Sequence, residues 1–268
     1  MSRLMLWAGL AFLWAPVILM VAYAFSDSRT PYLWGGFSLR WFEALWANER
    51  LLEAVWLSLR IAAAAATLAT LLGLLLGWVL ARHGPFAGRA IFGALAAAPL
   101  VLPEVVMGLA LLLLLVGLQA LTGWPAQRGA LTVWLAHSAL GMAFVAVLMQ
   151  ARLAGLDRRL EEAAADLGAH PLTIFRTITL PLTMPSLGAG WALAFMLSLD
   201  DVVLASFTTG PGATTLPVYL FSLLRRGLTP EANALAAVML AGAGLLLLLV
   251  LGILALRRRR VETPPSRE

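Results

Sequence analysis

Residues 60–82 read RIAAAAATLATLLGLLLGWVLAR, and nothing between the two flanking Arg residues carries a charge. An α-helix rises about 1.5 Å per residue, so about 20 such residues cover the hydrocarbon core of a bilayer. Trp56 and Trp78 lie 22 residues apart, about 33 Å along a helix, which suits the two aromatic belts of a membrane. The stretch reads as a membrane-crossing helix, and the pattern recurs on both sides of it. Residues 4–26, 129–151 and 232–256 are uncharged; Arg89 to Arg128 encloses only Glu104, and Arg176 to Arg225 only Asp200 and Asp201. The expectation is an all-α polytopic membrane protein with six transmembrane helices, at about 5–25, 57–81, 90–118, 130–152, 187–207 and 233–256.

Composition supports this. The 268 residues are 61% hydrophobic and 12% charged, with mean hydropathy +0.89, where a soluble domain is about 45–50% apolar and about 25% charged. All 19 basic residues are Arg, so a Walker lysine, a Schiff base and a lysine nucleophile are excluded. There is no cysteine, which excludes disulfides, thiolate chemistry and Fe–S ligation and leaves the redox compartment open. Six crossings put both termini on one side. That side holds twelve Arg (3, 82, 89, 152, 158, 159, 176, 257–260 and 267) and the other holds seven (29, 40, 50, 60, 128, 225 and 226). The positive-inside rule then places both termini in the cytoplasm, with residues 257–268 as a basic cytoplasmic tail. The net charge of +5 sits at span ends and needs no nucleic acid. Arg3, an apolar stretch and Ala22-Tyr23-Ala24 mimic a signal peptide; the stretch is longer than a usual signal core, and retention as a first span is expected.

The most informative loop is 153–186. Asp157 suits an N-cap, acidic residues follow, and Leu156, Leu160, Ala163, Ala164 and Leu167 recur at helical spacing. Gly168 is placed as a C-terminal stop, and Pro171 opens a second short helix carrying Ile174, Phe175 and Ile178. Pro181 and Pro185 are expected to break that helix before the fifth span. The product is a helix–turn–helix with a small-residue apolar surface edged by Glu161, Glu162 and Arg158.

Glu162-Ala163-Ala164, three residues, Gly168, nine residues, Ile178, one residue, Leu180-Pro181 resembles the EAA signature of binding-protein-dependent ABC importer permeases. The resemblance implies the type I importer architecture. It also implies that this loop, about 157–181, docks on an ATPase dimer, with Glu162, Ala163, Ala164, Gly168, Phe175, Ile178, Leu180 and Pro181 in or behind the contact. ATP and Mg²⁺ would be held by that partner. This chain would have no catalytic residue and bind no cofactor.

A carboxylate inside a span costs about 2.5–3.5 kcal/mol on insertion scales. Asp200 and Asp201 are expected well inside the fifth span, and Glu104 follows Pro103 in the third. Pro99 and Pro103 are expected to break that third helix, leaving Glu104 at the positive end of its second half. Neighbours on a helix point about 100° apart, so only one of the Asp pair can face a pathway squarely. No Arg lies within these spans, and acidic side chains along a path suit a cationic substrate. Structural readings are a cap for Glu104 and interhelical hydrogen bonds for the Asp pair.

Leu102-Pro103-Glu104-Val105-Val106-Met107-Gly108, Ser198-Leu199-Asp200-Asp201-Val202-Val203, 209–217 and 226–235 are similar to the spermidine/putrescine permease family, nearest the second permease subunit of the putrescine type. Family members often carry Asp where this chain has Glu104. The resemblance implies a substrate pathway past Asp200, Asp201 and Glu104. It implies a second permease subunit and a periplasmic or extracellular polyamine-binding protein as further partners, in the bacterial cytoplasmic membrane. The alternatives are a permease for another solute such as iron or a sulfonate, and an ion-driven secondary transporter. An intramembrane aspartyl hydrolase would need two Asp from different helices, and these are neighbours. Trp34, Trp41 and Trp46 read as an interfacial outer segment, Gly210-Pro211-Gly212 as a turn, and Thr229-Pro230-Glu231 as the start of the sixth span. Arg225 and Arg226 lie on the outer side, where the family meets its binding protein. His137 is a lone span histidine suited to an interhelical hydrogen bond, and there is no metal constellation.

Overall fold

A computed structural model describes residues 2–226 and 230–245. Its helices are α1 (Ser2–Ala24), α2 (Arg40–Ala47), α3 (Glu49–Arg82), α4 (Arg89–Val101), α5 (Glu104–Thr122), α6 (Ala130–Ala154), α7 (Arg159–Asp166), α8 (Pro171–Ile174), α9 (Leu180–Asp200), α10 (Val203–Thr208) and α11 (Leu216–Arg226); residues 230–245 form a further helix, α12. Five runs among the described residues are long and apolar enough to cross a membrane: Arg3–Ala24, Glu49–Arg82, Glu104–Thr122, Ala130–Ala154 and Pro171–Asp200. Of the expected sixth span, residues 246–256 lie outside the described residues, as do Thr229 and the basic tail 257–268.

The chain divides into two compact units, residues 50–221 and residues 1–49 with 222–268. In the larger one, α6 runs through the middle because its neighbours are small. Gly73 and Gly77 of α3 let the α6 backbone approach so closely that an added Cβ would stand 2.6 Å from Val145 Cβ or 2.7 Å from the Ala146 carbonyl oxygen. Gly141 of α6 lies between Ala69 of α3 and Ala194 of α9. Small residues at such crossings replace the hydrophobic drive that lipid does not supply. Around them Ala66, Ala69, Leu74, Val145, Met149, Leu187 and Ala194 form the main core. Gly77→Ala is expected to cost about 1–3 kcal/mol through overpacking. Gly117→Ala, whose Cβ meets nothing, serves as the control. Equal melting temperatures of the two variants in detergent would contradict the packing account.

Three proline expectations resolve differently. Pro103 ends one helix and starts the next: Leu102 is extended, with ψ 137°, and Glu104 occupies the first turn of α5. Pro99 does not break the chain and lies inside α4, so the expected third span is two helices, of which α5 alone is long enough to cross. Pro181 and Pro185 do not interrupt either. A π-helical turn, Phe175–Thr179, carries α8 directly into α9, with the Leu180 amide donating to Phe175 O. That wider turn delivers Pro181 to the first turn of α9, the part of a helix that accommodates proline best. Arg152 Nη2 donates to Leu182 O at 2.9 Å near Pro185. The outcome is one helical run from Pro171 to Asp200.

The smaller unit contains α1, whose apolar side chains are exposed along most of its length, as suits a helix solvated by lipid. Ala24, Ala234 and Ala237 form a small core with Val21, Phe25, Trp41 and Phe42. The loop after α1 is organised by Ser26, whose Oγ donates to Leu33 O at 2.9 Å and accepts from the Gly35 amide at 3.0 Å. Trp41 is not a free interfacial residue, since its Nε1 donates to Ser26 O at 2.9 Å; Trp34 and Trp46 are exposed.

Candidate functional site

The patterned loop folds as expected in outline. Asp157 Oδ1 accepts from the Arg159 amide at 3.0 Å, outside the first turn of α7. At the other end Gly168 takes φ +80°. Its amide donates to Ala165 O at 2.9 Å, and the Ala169 amide donates to Ala164 O at 3.0 Å. This is the paired closure that requires a left-handed residue, the reason glycine stands there. His170 Nδ1 accepts from the Leu172 amide at 3.3 Å, with Pro171 opening α8.

The motif residues divide into two sets. Glu162, Ala163 and Gly168 are exposed and Ala164 is half-buried; beside them Leu160 is 51% and Leu167 89% exposed. An apolar face left this open on an otherwise charged helix is suited to a protein partner. Phe175 and Leu180 instead pack against the main core, and Phe175 meets the Trp78 ring edge-on at 5.9 Å. Trp78, expected in an aromatic belt, also packs edge-on against His83. Ile178 is half-buried and Pro181 exposed.

Sequence reading did not foresee how this loop is fastened to α3. Arg82, the last residue of α3, makes an ion pair with Glu161 at 3.2 Å, and Thr179 Oγ1 donates to the same carboxylate at 2.8 Å. Arg158 Nη2 donates to Ala81 O at 2.7 Å. Glu161 looks like any acid of a first helical turn, and its partner lies 79 residues away, so no local pattern reveals it.

The Asp pair lies at the end of a helix rather than inside one. Asp200 closes α9, Asp201 is extended with ψ 122°, and α10 begins at Val203. Asp201 caps α10: Oδ1 accepts from the Leu204 amide at 3.2 Å and Oδ2 from the Ala205 amide at 2.7 Å. His137 Nε2 lies 3.1 Å from Asp201 Oδ2, and His137 Nδ1 lies 2.6 Å from Ser198 Oγ. Both oxygens of Asp201 already accept amide hydrogens, so the imidazole N–H is the donor to it. All three side chains are buried. A serine, histidine and aspartate in this order resemble a hydrolytic triad, yet Ser198 and His137 are sealed among helices and Asp201 is spent on a cap. The lone span histidine does make the interhelical bond expected of it. Asp200 is exposed, so of the pair it is the one whose charge is available. Glu104 is also exposed, in the first turn of α5, where the helix dipole favours a carboxylate.

α10 is held against α5. Gly108 leaves room for Phe207, whose Cδ2 would stand 2.5 Å from an added Cβ, and Met107, Ala136, Leu140 and Leu204 form a buried cluster.

Comparison with known proteins fits this picture. The profile of the family described as binding-protein-dependent transport system inner membrane component matches residues 69–263. The putrescine transport system permease protein PotI of Escherichia coli (strain K12) is 52% identical over 237 residues, covering 88% of this chain and 84% of that protein. The spermidine/putrescine transport system permease protein PotC of the same strain is 40% identical over 230 residues, covering 86% and 84%. A bacterial alginate ABC transporter, solved in complex with an alginate pentasaccharide-bound periplasmic protein, superposes with a TM-score of 0.70 at 17% identity, over 98% of this chain and 93% of that one. The MetNI methionine ABC transporter gives a TM-score of 0.58 at 18% identity, over 80% and 96%. These two show the fold. The exposed small-residue loop, the bundle of apolar helices and the matched profile together establish that this chain belongs to the binding-protein-dependent transport system inner membrane components, as a multi-pass membrane permease.

Proposed function

We propose that this chain is a permease subunit of an ATP-driven importer that carries polyamines, putrescine foremost, across the cytoplasmic membrane by alternating access. The observation that carries the reading is Asp200: an exposed carboxylate at a helix break, on a chain 52% identical to a putrescine permease subunit. A diamine is a flexible chain with a cation at each end. Asp200, aided by Glu104, offers counter-charge without enclosing it, so binding is weak enough for release.

The chain works with a second permease subunit, an ATPase dimer and a soluble polyamine-binding protein on the outer side; both of its termini are cytoplasmic. Glu162, Ala163, Ala164 and Gly168 meet the ATPase, while Phe175, Ile178, Leu180 and Pro181 join that contact to the bundle. ATP and Mg²⁺ reside in the ATPase. Closure of the ATPase pair moves the loop, and the Arg82–Glu161–Thr179 clamp passes the motion to α3 as well as α9.

The test is nucleotide hydrolysis by the assembled importer in liposomes, with a panel of solutes presented by their binding proteins. Stimulation by putrescine and spermidine, but not by ferric iron, sulfonates or oxyanions, is the expected pattern. Equal stimulation by an anionic solute would overturn the polyamine assignment. Uptake without any ATPase subunit would instead favour the ion-driven alternative.

A further inference from the structure

Three helices converge on one imidazole. Ser198 belongs to the last turn of α9, Asp201 caps α10 from outside it, and His137 lies within α6, bonded to both. A carboxylate cap fixes where α10 begins, but it does not fix α10 relative to α9, because Asp201 and Val202 between them are not helical. The imidazole supplies that missing constraint. It is a rigid ring that touches the chain on both sides of Asp200, at positions 198 and 201. The ring is itself held by packing. Its neighbour Ala136 shares a buried cluster with Leu204 of α10, and Val133, one turn back, shares another with Ala205.

We propose that His137 is a positioning residue, which sets the α9–α10 break through Ser198 and Asp201 and thereby keeps the Asp200 carboxylate turned out toward the substrate path. The role in transport rests on the reading of Asp200 above; the geometric role does not. Asp200 would otherwise have two ways to move. The last turn of α9 could extend through Asp201, rotating residue 200 toward the interior, or it could fray. Both require the imidazole to release one partner, leaving either Ser198 as a buried hydroxyl in need of another bond or Asp201 as a buried carboxylate with its two amide donors but without the imidazole.

The chain contains no cysteine, so Asp200→Cys gives it a single thiol. In the complete importer in liposomes, the labelling rate of that thiol by a cationic methanethiosulfonate reads its exposure directly. His137→Phe, which keeps a ring and loses both bonds, is expected to slow labelling at least fivefold. His137→Gln, which keeps one donor and one acceptor, is expected to restore it to within twofold. Ser198→Ala removes a single bond with little change in volume and should give about a threefold drop, which serves if His137→Phe does not assemble. Labelling that ignores His137→Phe, or Ser198→Ala in its place, overturns the proposal.

Uptake then separates the two readings. With Asp200 present, His137→Phe should raise KM for putrescine about tenfold with a smaller change in kcat. In an Asp200→Asn background it should add less than twofold. An equal loss in both backgrounds means that His137 acts on transport by another route, and overturns the transport half of the proposal. If Asp200→Asn transports normally while labelling still follows His137, the pathway role of Asp200 fails and the positioning role stands.

Discussion

Gly168→Asp is expected to cut uptake by at least tenfold and to uncouple the permease from its ATPase. Three effects act in the same direction. Position 168 has φ +80°, where an ordinary L-residue costs about 1–2 kcal/mol. A carboxylate just past the C-terminal end of α7 opposes the helix dipole, which favours cations there. The side chain would also project where an added Cβ meets no described atom of this chain, into the space that the proposed ATPase contact would fill. Gly168→Asn isolates the charge, because Asn tolerates the left-handed conformation about as well as Asp and brings none. Recovery of the ATPase with the tagged permease, together with substrate-stimulated hydrolysis, is the measurement. Normal recovery and normal uptake in the Asp variant would show that this loop is not the docking surface.

Asp200→Asn should raise KM for putrescine uptake by about ten- to a hundredfold, with Asp200→Glu close to wild type. A hydrogen bond to a charged group contributes about 1.5–3 kcal/mol, and about 1.4 kcal/mol is a factor of ten. The substitution keeps shape and removes charge, and the backbone hydrogen bond of the Asp200 side chain is to its own residue rather than to another helix. Asp201→Asn is a different experiment. That side chain caps α10 and meets His137, so its replacement is expected to lower stability as well as transport, visible as reduced yield of assembled complex. Wild-type KM after Asp200→Asn would remove the carboxylate from the path.

The contrast between these neighbours also marks how far the sequence could be read. Uncharged runs located the helices because lipid admits little else. The EAA spacing located the helix–turn–helix because a tight closure at Gly168 needs glycine at a fixed offset from α7. The sequence also offered both halves of the central bond, a lone span histidine and a carboxylate pair. What it could not offer was which carboxylate the histidine takes, since that depends on the helix ending at Asp200, and Val202 and Val203 give no stop signal. Pro99, Pro181 and Pro185 misled for a related reason. A proline is a local signal, and the π turn that absorbs Pro181 is a property of how Phe175 and Leu180 seat against the core. The Arg82–Glu161 pair was out of reach because both partners are ordinary residues at helix ends.

The unbroken run from Pro171 to Asp200 carries a mechanical consequence. Thirty residues of helix form a rod about 45 Å long, with Pro171 of the exposed loop at one tip and the Asp200 carboxylate at the other. Pivoted near its middle, at the crossing with α6, such a lever would convert a tilt of about 10° into a shift of about 4 Å at each tip. A hinge at Pro181 or Pro185 would have absorbed the stroke before it reached Asp200. On the proposed mechanism, the stiffness of this one rod would set how much of a displacement at the loop reaches Asp200.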